Sequence, residues 1–236
     1  MLDHLVAFLY PPICPGCGRA FARLPPSSLC GRCRRGIENV RPGCLRCARP
    51  DHGPLCPGCR LRPPAFDRLL VDHAYRPGSV LARLLALWKY QGDPSAGRAL
   101  REVFRRCMKP SRVYHDLIVP VPLHPRRLAQ RGFNQSQMLA RALVLGRKDA
   151  PVLETRILGK KRRTTPQALL PRRLRGRDLT REYLARGTLS GQRVLLVDDI
   201  LTTGATADAC ARSLKAVGAQ RVDVMILART HGRPRP

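Results

Sequence analysis

The chain has few acidic residues, few aromatic residues and no long apolar run. Sixteen Asp and Glu stand against 44 Lys and Arg, leaving a formal charge of +28 and a pI near 11.3. A field of that sign and size makes polyanions the expected partners. An arginine-rich composition also follows from genome bias, and charge alone does not separate DNA from RNA or from a phosphorylated small molecule. Aromatic residues make up 5% of the chain, so base stacking is a minor route to nucleic acid and contact with backbone phosphates is the expected one. No apolar run approaches the roughly 18 residues that a membrane helix needs. The nearest, Leu5 to Leu9, is flanked by His4 and stopped by Pro11-Pro12. That segment also lacks a basic n-region and a cleavage site, so it does not read as a signal peptide. The expectation is a cytoplasmic protein without membrane insertion.

Cysteine, by contrast, is plentiful and concentrated. Of ten cysteines, eight fall within residues 14–59, as four CxxC pairs: Cys14/Cys17, Cys30/Cys33, Cys44/Cys47 and Cys56/Cys59. The stretch is rich in Pro, Gly and Arg and poor in large aliphatic side chains, so it cannot fold around an apolar core of its own. A CxxC turn aims two thiolates at one point, and two such turns supply the four ligands of a tetrahedral Zn²⁺. Consecutive pairing gives one site from Cys14, Cys17, Cys30 and Cys33 and another from Cys44, Cys47, Cys56 and Cys59; a cross-braced arrangement is the alternative. Disulfides suit small secreted domains and not a cytosolic chain. Four thiolates leave no open position for a substrate, so the sites are expected to be structural, with metal binding replacing the missing core. His52 reads as a bystander, and Cys107 and Cys210 as small apolar residues on helices.

With 236 residues, 44% of them hydrophobic, the chain is long enough for one domain of moderate size and a small appendage. Two prolines within residues 60–65 suggest a linker, which divides a cysteine-rich head, 1–62, from a larger domain, 63–236. From Phe66 onward strands and helices alternate: a strand at Leu69 to Val71, a helix at Val80 to Trp88, a strand at Leu117 to Val121, a polar loop, and a helix at Ser136 to Leu145. There follow a weaker strand at Val152 to Leu158, a strong one at Val194 to Val197, a helix at Ala205 to Val217 and a closing strand at Val222 to Leu227. That order predicts an α/β fold, a mostly parallel sheet covered by helices on both faces. Residues 155–177 carry nine basic groups and no acidic one and read as a mobile basic loop, either solvated or functional.

The strand at Val194 to Val197 delivers two adjacent acids, Asp198 and Asp199, at the edge where parallel sheets bind ligands. Thr202, Thr203, Gly204, Ala205 and Thr206 follow, before a helix. Backbone N–H groups at a helix start, with hydroxyls and a glycine that permits close approach, cradle a phosphate, while the acids can accept hydrogen bonds from vicinal ribose hydroxyls. The combination matches a ribose 5-phosphate. An ordinary Asp-Asp turn before a capped helix is the competing account.

The residues Val194 to Thr206 resemble the phosphoribosyl-diphosphate signature of type I phosphoribosyltransferases. Pro120 to Arg127, continuing to Arg131-Gly132-Phe133-Asn134-Gln135, resembles the signature of ComF-family competence proteins, as do Lys89-Tyr90-Gln91-Gly92-Asp93 and the cysteine-rich head. The resemblance covers essentially the whole chain. It implies a phosphoribosyltransferase-like domain behind a small N-terminal double zinc ribbon. It also implies phosphoribosyl diphosphate carried with Mg²⁺, Asp198 and Asp199 on the ribose hydroxyls, and residues 202–206 on the 5′-phosphate. The Leu123 to Arg127 loop would correspond to the diphosphate-binding loop, with Arg126, Arg127 and Arg131 as donors. Thr165-Pro166-Gln167, Arg172, Asp178-Leu179 and Tyr183 resemble the family's mobile-loop pattern with departures: Ala168-Leu169 for Thr-Gly, Asp178 for Asn and Arg181-Glu182-Tyr183 for Gly-Ala-Phe.

Two functions follow. One is a phosphoribosyl transferase of unidentified acceptor, with cation and Arg groups stabilising the departing diphosphate. The other is a non-catalytic single-stranded DNA-binding protein whose pocket senses a phosphoribosyl ligand or a nucleic-acid end. ComF relatives are associated with uptake of transforming DNA, so the resemblance implies cooperation with a helicase and other competence proteins.

Overall fold

The computed structural model describes residues 11–21, 27–50, 52–107, 114–160 and 182–230. The Leu5 to Leu9 segment, most of the basic loop and the mobile-loop residues before Glu182 lie outside them.

The head contributes two short helices, α1 (Gly31–Arg35) and α2 (Pro57–Leu61). The rest of the chain continues through β1 (Arg68–Leu70), β2 (His73–Tyr75), α3 (Val80–Gln91), α4 (Pro94–Cys107), β3 (Leu117–Pro120), α5 (Pro125–Arg131), α6 (Gln135–Val144) and β4 (Val152–Leu153). It closes with β5 (Leu158–Lys160), β6 (Tyr183–Ala185), β7 (Arg193–Leu201), α7 (Ala205–Ala216) and β8 (Arg221–Thr230). The main sheet runs β1-β8-β7-β3-β4, with β2 pairing farther along β8, and every pairing in it is parallel. Both faces are covered, so its central strands are apolar throughout. On β7, Leu195 and Val197 face one side, Val194 and Leu196 the other, and all four are buried. The first side packs on α3, α4 and α6 through Leu81, Leu84, Trp88, Leu100, Phe104 and Leu139. The second packs on α7 through Ala207, Cys210, Ala211 and Leu214.

Three differences from expectation have physical causes. The helix α4 was not anticipated, although Ala96, Leu100, Val103, Phe104 and Cys107 line its buried face. The expected loop after β3 contains the helix α5, which buries none of its residues and is bounded by Pro125 at its start and by Gly132, at φ 76°, at its end. The expected strand Val152 to Leu158 is two strands. The Glu154 carboxylate accepts hydrogen bonds from the N–H groups of Arg156 (2.6 Å) and Ile157 (3.2 Å), and that turn sends β5 away to pair antiparallel with β6.

The cysteine-rich segment is joined to the rest of the chain by hydrogen bonds and by a shared core. Val40 N–H donates to Asp72 O (2.8 Å) and Ala74 N–H to Glu38 O (2.9 Å). Ser28 donates through N–H and Oγ to the Glu102 carboxylate on α4 (3.0 and 2.6 Å). Cys14, Leu29 and Cys33 belong to the same buried cluster as Leu81, Leu84 and Trp88.

Candidate functional site

From β3 the chain passes to β4 on one side of the sheet, and from β7 it passes to β8 on the other. The strand order therefore reverses between β3 and β7, and their carboxyl ends flank the crevice where such sheets hold ligands. Beyond β7, Thr202 to Gly204 turn into α7. Gly204 takes φ 80°, a left-handed conformation that a side chain disfavours, and supplies no capping side chain. The start of α7 has no side-chain cap among the described residues, and Ala205 N–H donates to the Thr203 hydroxyl at 3.3 Å. Asp198, Ile200, Leu201, residues 202–207 and Ile226 line a hollow of about 40 Å³. All five expected phosphate-loop residues and Asp198 thus come together.

The two acids sit within β7, which continues to Leu201, rather than at its tip. Asp198 Oδ1 accepts from Ser136 Oγ (2.8 Å) and from Asp199 N–H (2.9 Å). Burial, reinforced by the negative charge of Asp199, pushes the Asp198 carboxyl up to about 7. Asp199 Oδ2 is ion-paired with Lys89 Nζ at 2.5 Å. Neither Lys89 nor Ser136 was singled out by role from the sequence. Both arrive through helix packing: Trp88 stacks on Phe133 with ring centroids 5.6 Å apart, which fixes the end of α3 against the start of α6. Asn134 sets the register of α6. Its Oδ1 accepts from Ser136 N–H (3.0 Å) and its Nδ2 donates to Val121 O (3.0 Å) at the end of β3.

The expected arginines separate. Arg126 and Arg127 stand exposed on α5, ion-paired to none of the described acidic residues. Arg131 lies half-buried instead against Tyr90 and Gln135. Tyr183 of β6 is buried, and Lys160 Nζ of β5 lies 3.0 Å from its hydroxyl; in the sequence β5 and β6 flank residues 161–181.

The cysteines group consecutively. Cys14, Cys17, Cys30 and Cys33 form one cluster and Cys44, Cys47, Cys56 and Cys59 the other, with sulfur atoms in each within 4.8 Å of one another. Cys17 and Cys30 sulfurs are 3.8 Å apart and those of Cys47 and Cys56 3.7 Å. Zinc–sulfur bonds of about 2.3 Å in a tetrahedron require about 3.8 Å, so both clusters could hold structural zinc. A backbone N–H from Cys33 lowers Cys30 to about 7. Burial opposes ionisation of Cys44, yet N–H groups of Cys56, Cys47 and Arg46 bring it to about 6. His52 is exposed and stands outside both clusters. The Arg229 guanidinium donates to Cys47 O beside the second cluster, an approach that the sequence did not signal.

Residues 130–236 match the family model described as the phosphoribosyl transferase domain. The chain is 32% identical over 208 residues to the DNA utilization protein YhgH of Escherichia coli K12, covering 86% of this chain and 89% of that one. It is 27% identical over 222 residues to competence protein F of Haemophilus influenzae, covering 89% and 94%. With competence protein ComFC of Bacillus subtilis the identity is 28% over 211 residues, covering 84% and 82%.

Proposed function

Because the chain belongs to the ComF family of competence and DNA utilization proteins, we propose that its cleft binds 5-phosphoribosyl 1-diphosphate with Mg²⁺ in the service of DNA handling. One observation carries this reading: the paired acids and a helix start without a side-chain cap meet at the carboxyl end of β7, where the strand order reverses. The loop N–H groups and the hydroxyls of Thr202, Thr203 and Thr206 hold the 5′-phosphate, and Asp198 and Asp199 accept from the ribose hydroxyls. Ser136 and Lys89 orient the two carboxylates and offset their charge. Arg126 and Arg127, exposed one strand away, provide donors for the diphosphate. The adjacent carboxylates fit a hard divalent cation carried on the diphosphate; when bound, Mg²⁺ supplies charge neutralisation of the leaving group.

Calorimetric titration with phosphoribosyl diphosphate and Mg²⁺ tests the reading. Saturable binding is expected, abolished in the Asp198→Asn, Asp199→Asn double variant. Equal binding by the double variant would sink it. The strongly basic composition, +28 over 236 residues, favours a second role in which the basic surface contacts single-stranded DNA through its phosphates. That affinity should survive the double substitution largely intact.

A further inference from the structure

Arg229, next to last in β8, is half-buried, and its guanidinium donates to Cys47 O. Its Nε is shielded from solvent yet finds no partner among the described residues. A buried donor left unpaired costs free energy, and more so on a charged group. Burial lowers the pKa of this guanidinium; the thiolate charges of Cys47, Cys56 and Cys44 oppose that, while Arg49 adds to it. A cationic side chain with one donor unspent therefore stands beside the second cysteine cluster. The same turn is anchored on another side by Arg46, which reaches Phe66 O (3.4 Å) and the Asp67 carboxylate (3.9 Å).

Four thiolates around one divalent ion leave a net negative charge, which is costly to bury without a counter-ion. Sulfur lone pairs not spent on the metal can accept an N–H, and donors of this kind orient metal ligands and tune the metal. We propose that Arg229 is the positioning residue of the second cluster, holding the Cys47 turn by its carbonyl and giving Nε–H to a metal-bound thiolate. The assignment rests on the zinc reading of that cluster and adds the residue that secures it. Its place in the sheet gives the contact a consequence. Arg229 stands in register with Leu201, and the next residue, Thr230, donates through Oγ1 to Leu201 O (3.4 Å). Leu201 lines the same hollow as the phosphate loop. Arg229 thereby fastens the second cluster to the sheet edge that carries the loop.

The zinc-loaded full chain is titrated with a competing chelator, for the parent, Arg229→Gln and Arg229→Lys. Thiols freed at each step are alkylated and located by peptide mass spectrometry. Arg229→Gln is expected to weaken zinc in the second cluster by about 10–100-fold. Label should then appear at Cys44, Cys47, Cys56 and Cys59 well before Cys14, Cys17, Cys30 and Cys33. Arg229→Lys keeps the charge but loses the fork of donors, and should fall between parent and Arg229→Gln. Cobalt in place of zinc separates a contact with the thiolate from mere packing. A donor on sulfur raises the energy of sulfur-to-cobalt charge transfer, so removing it in Arg229→Gln should move part of that band to longer wavelength. Release from both clusters alike in Arg229→Gln, or an unmoved cobalt band, would overturn the role of Arg229 and leave the zinc sites standing. If the second cluster of the parent takes up no zinc, the zinc reading of that cluster falls with it.

Discussion

At Asp198 the free energy of folding becomes dependent on pH near neutrality. Its carboxyl moves from 3.8 to about 7, first through burial and then through Asp199. Between those values the folded chain holds a proton that the unfolded chain has lost, so stability falls as pH rises through the window. Asp198→Asn should flatten that slope and gain about 1–3 kcal/mol at pH 8, discounted for solvent access. Urea unfolding at pH 5 and pH 8 reads this directly, and an unchanged slope would exonerate Asp198. Asp223 behaves in the opposite sense. Burial opposes its charge, but hydrogen bonds from His115 (3.0 Å) and Arg221 (3.0 Å) hold its pKa below the ordinary carboxylate range. Its contribution is therefore present at neutral pH and lost as pH falls through that lowered value. Asp223→Ala leaves His115 and Arg221 without their shared acceptor and should cost about 3–5 kcal/mol. Thermal unfolding would show it, and a cost below about 1 kcal/mol would mean that water satisfies both.

Between elements, α3 and α4 approach closely because Gly97 has no side chain. A Cβ there would lie 2.6 Å from Trp88 Nε1. An isolated helix would gain about 1 kcal/mol from Gly→Ala, yet Gly97→Ala should destabilise this one by about 1–3 kcal/mol. Denaturant unfolding followed by fluorescence of Trp88 measures it; a stabilised variant would show that the helices separate without cost. Helix packing of this kind also marks where the sequence stops being informative. The strands β7 and β8 and the helix α7 were legible because an apolar run, a paired-acid turn and a helical period follow one another within a few residues. The phosphate loop was legible because its chemistry is contiguous. Helix α5 buries nothing and so has no period to read; only Pro125 and Gly132 marked its ends. Lys89 on Asp199, Ser136 on Asp198 and Arg131 on Tyr90 join residues far apart in the chain, and local spacing carries no trace of such meetings.

Taken whole, the molecule combines two metal-type clusters with a large positive charge, and each gives a measurable expectation. Purified protein should carry about two zinc ions per chain. Chelation should lower the thermal midpoint, because Cys14 and Cys33 line the main core as well as the first cluster. Less than one zinc per chain, without prior chelator, would count against the assignment. Affinity for single-stranded DNA should fall with log salt by about 0.7 log units per phosphate contacted, and a salt-indifferent affinity would exclude phosphate contact as its source. The shared core has a further consequence for how such a chain can be altered. Because Cys14, Leu29 and Cys33 fill space against Leu81 and Leu84, the head is not an interchangeable attachment. A head transplanted from a distant relative would bring metal ligands but the wrong knobs for these holes, so the head and the face of α3 are expected to vary only in step.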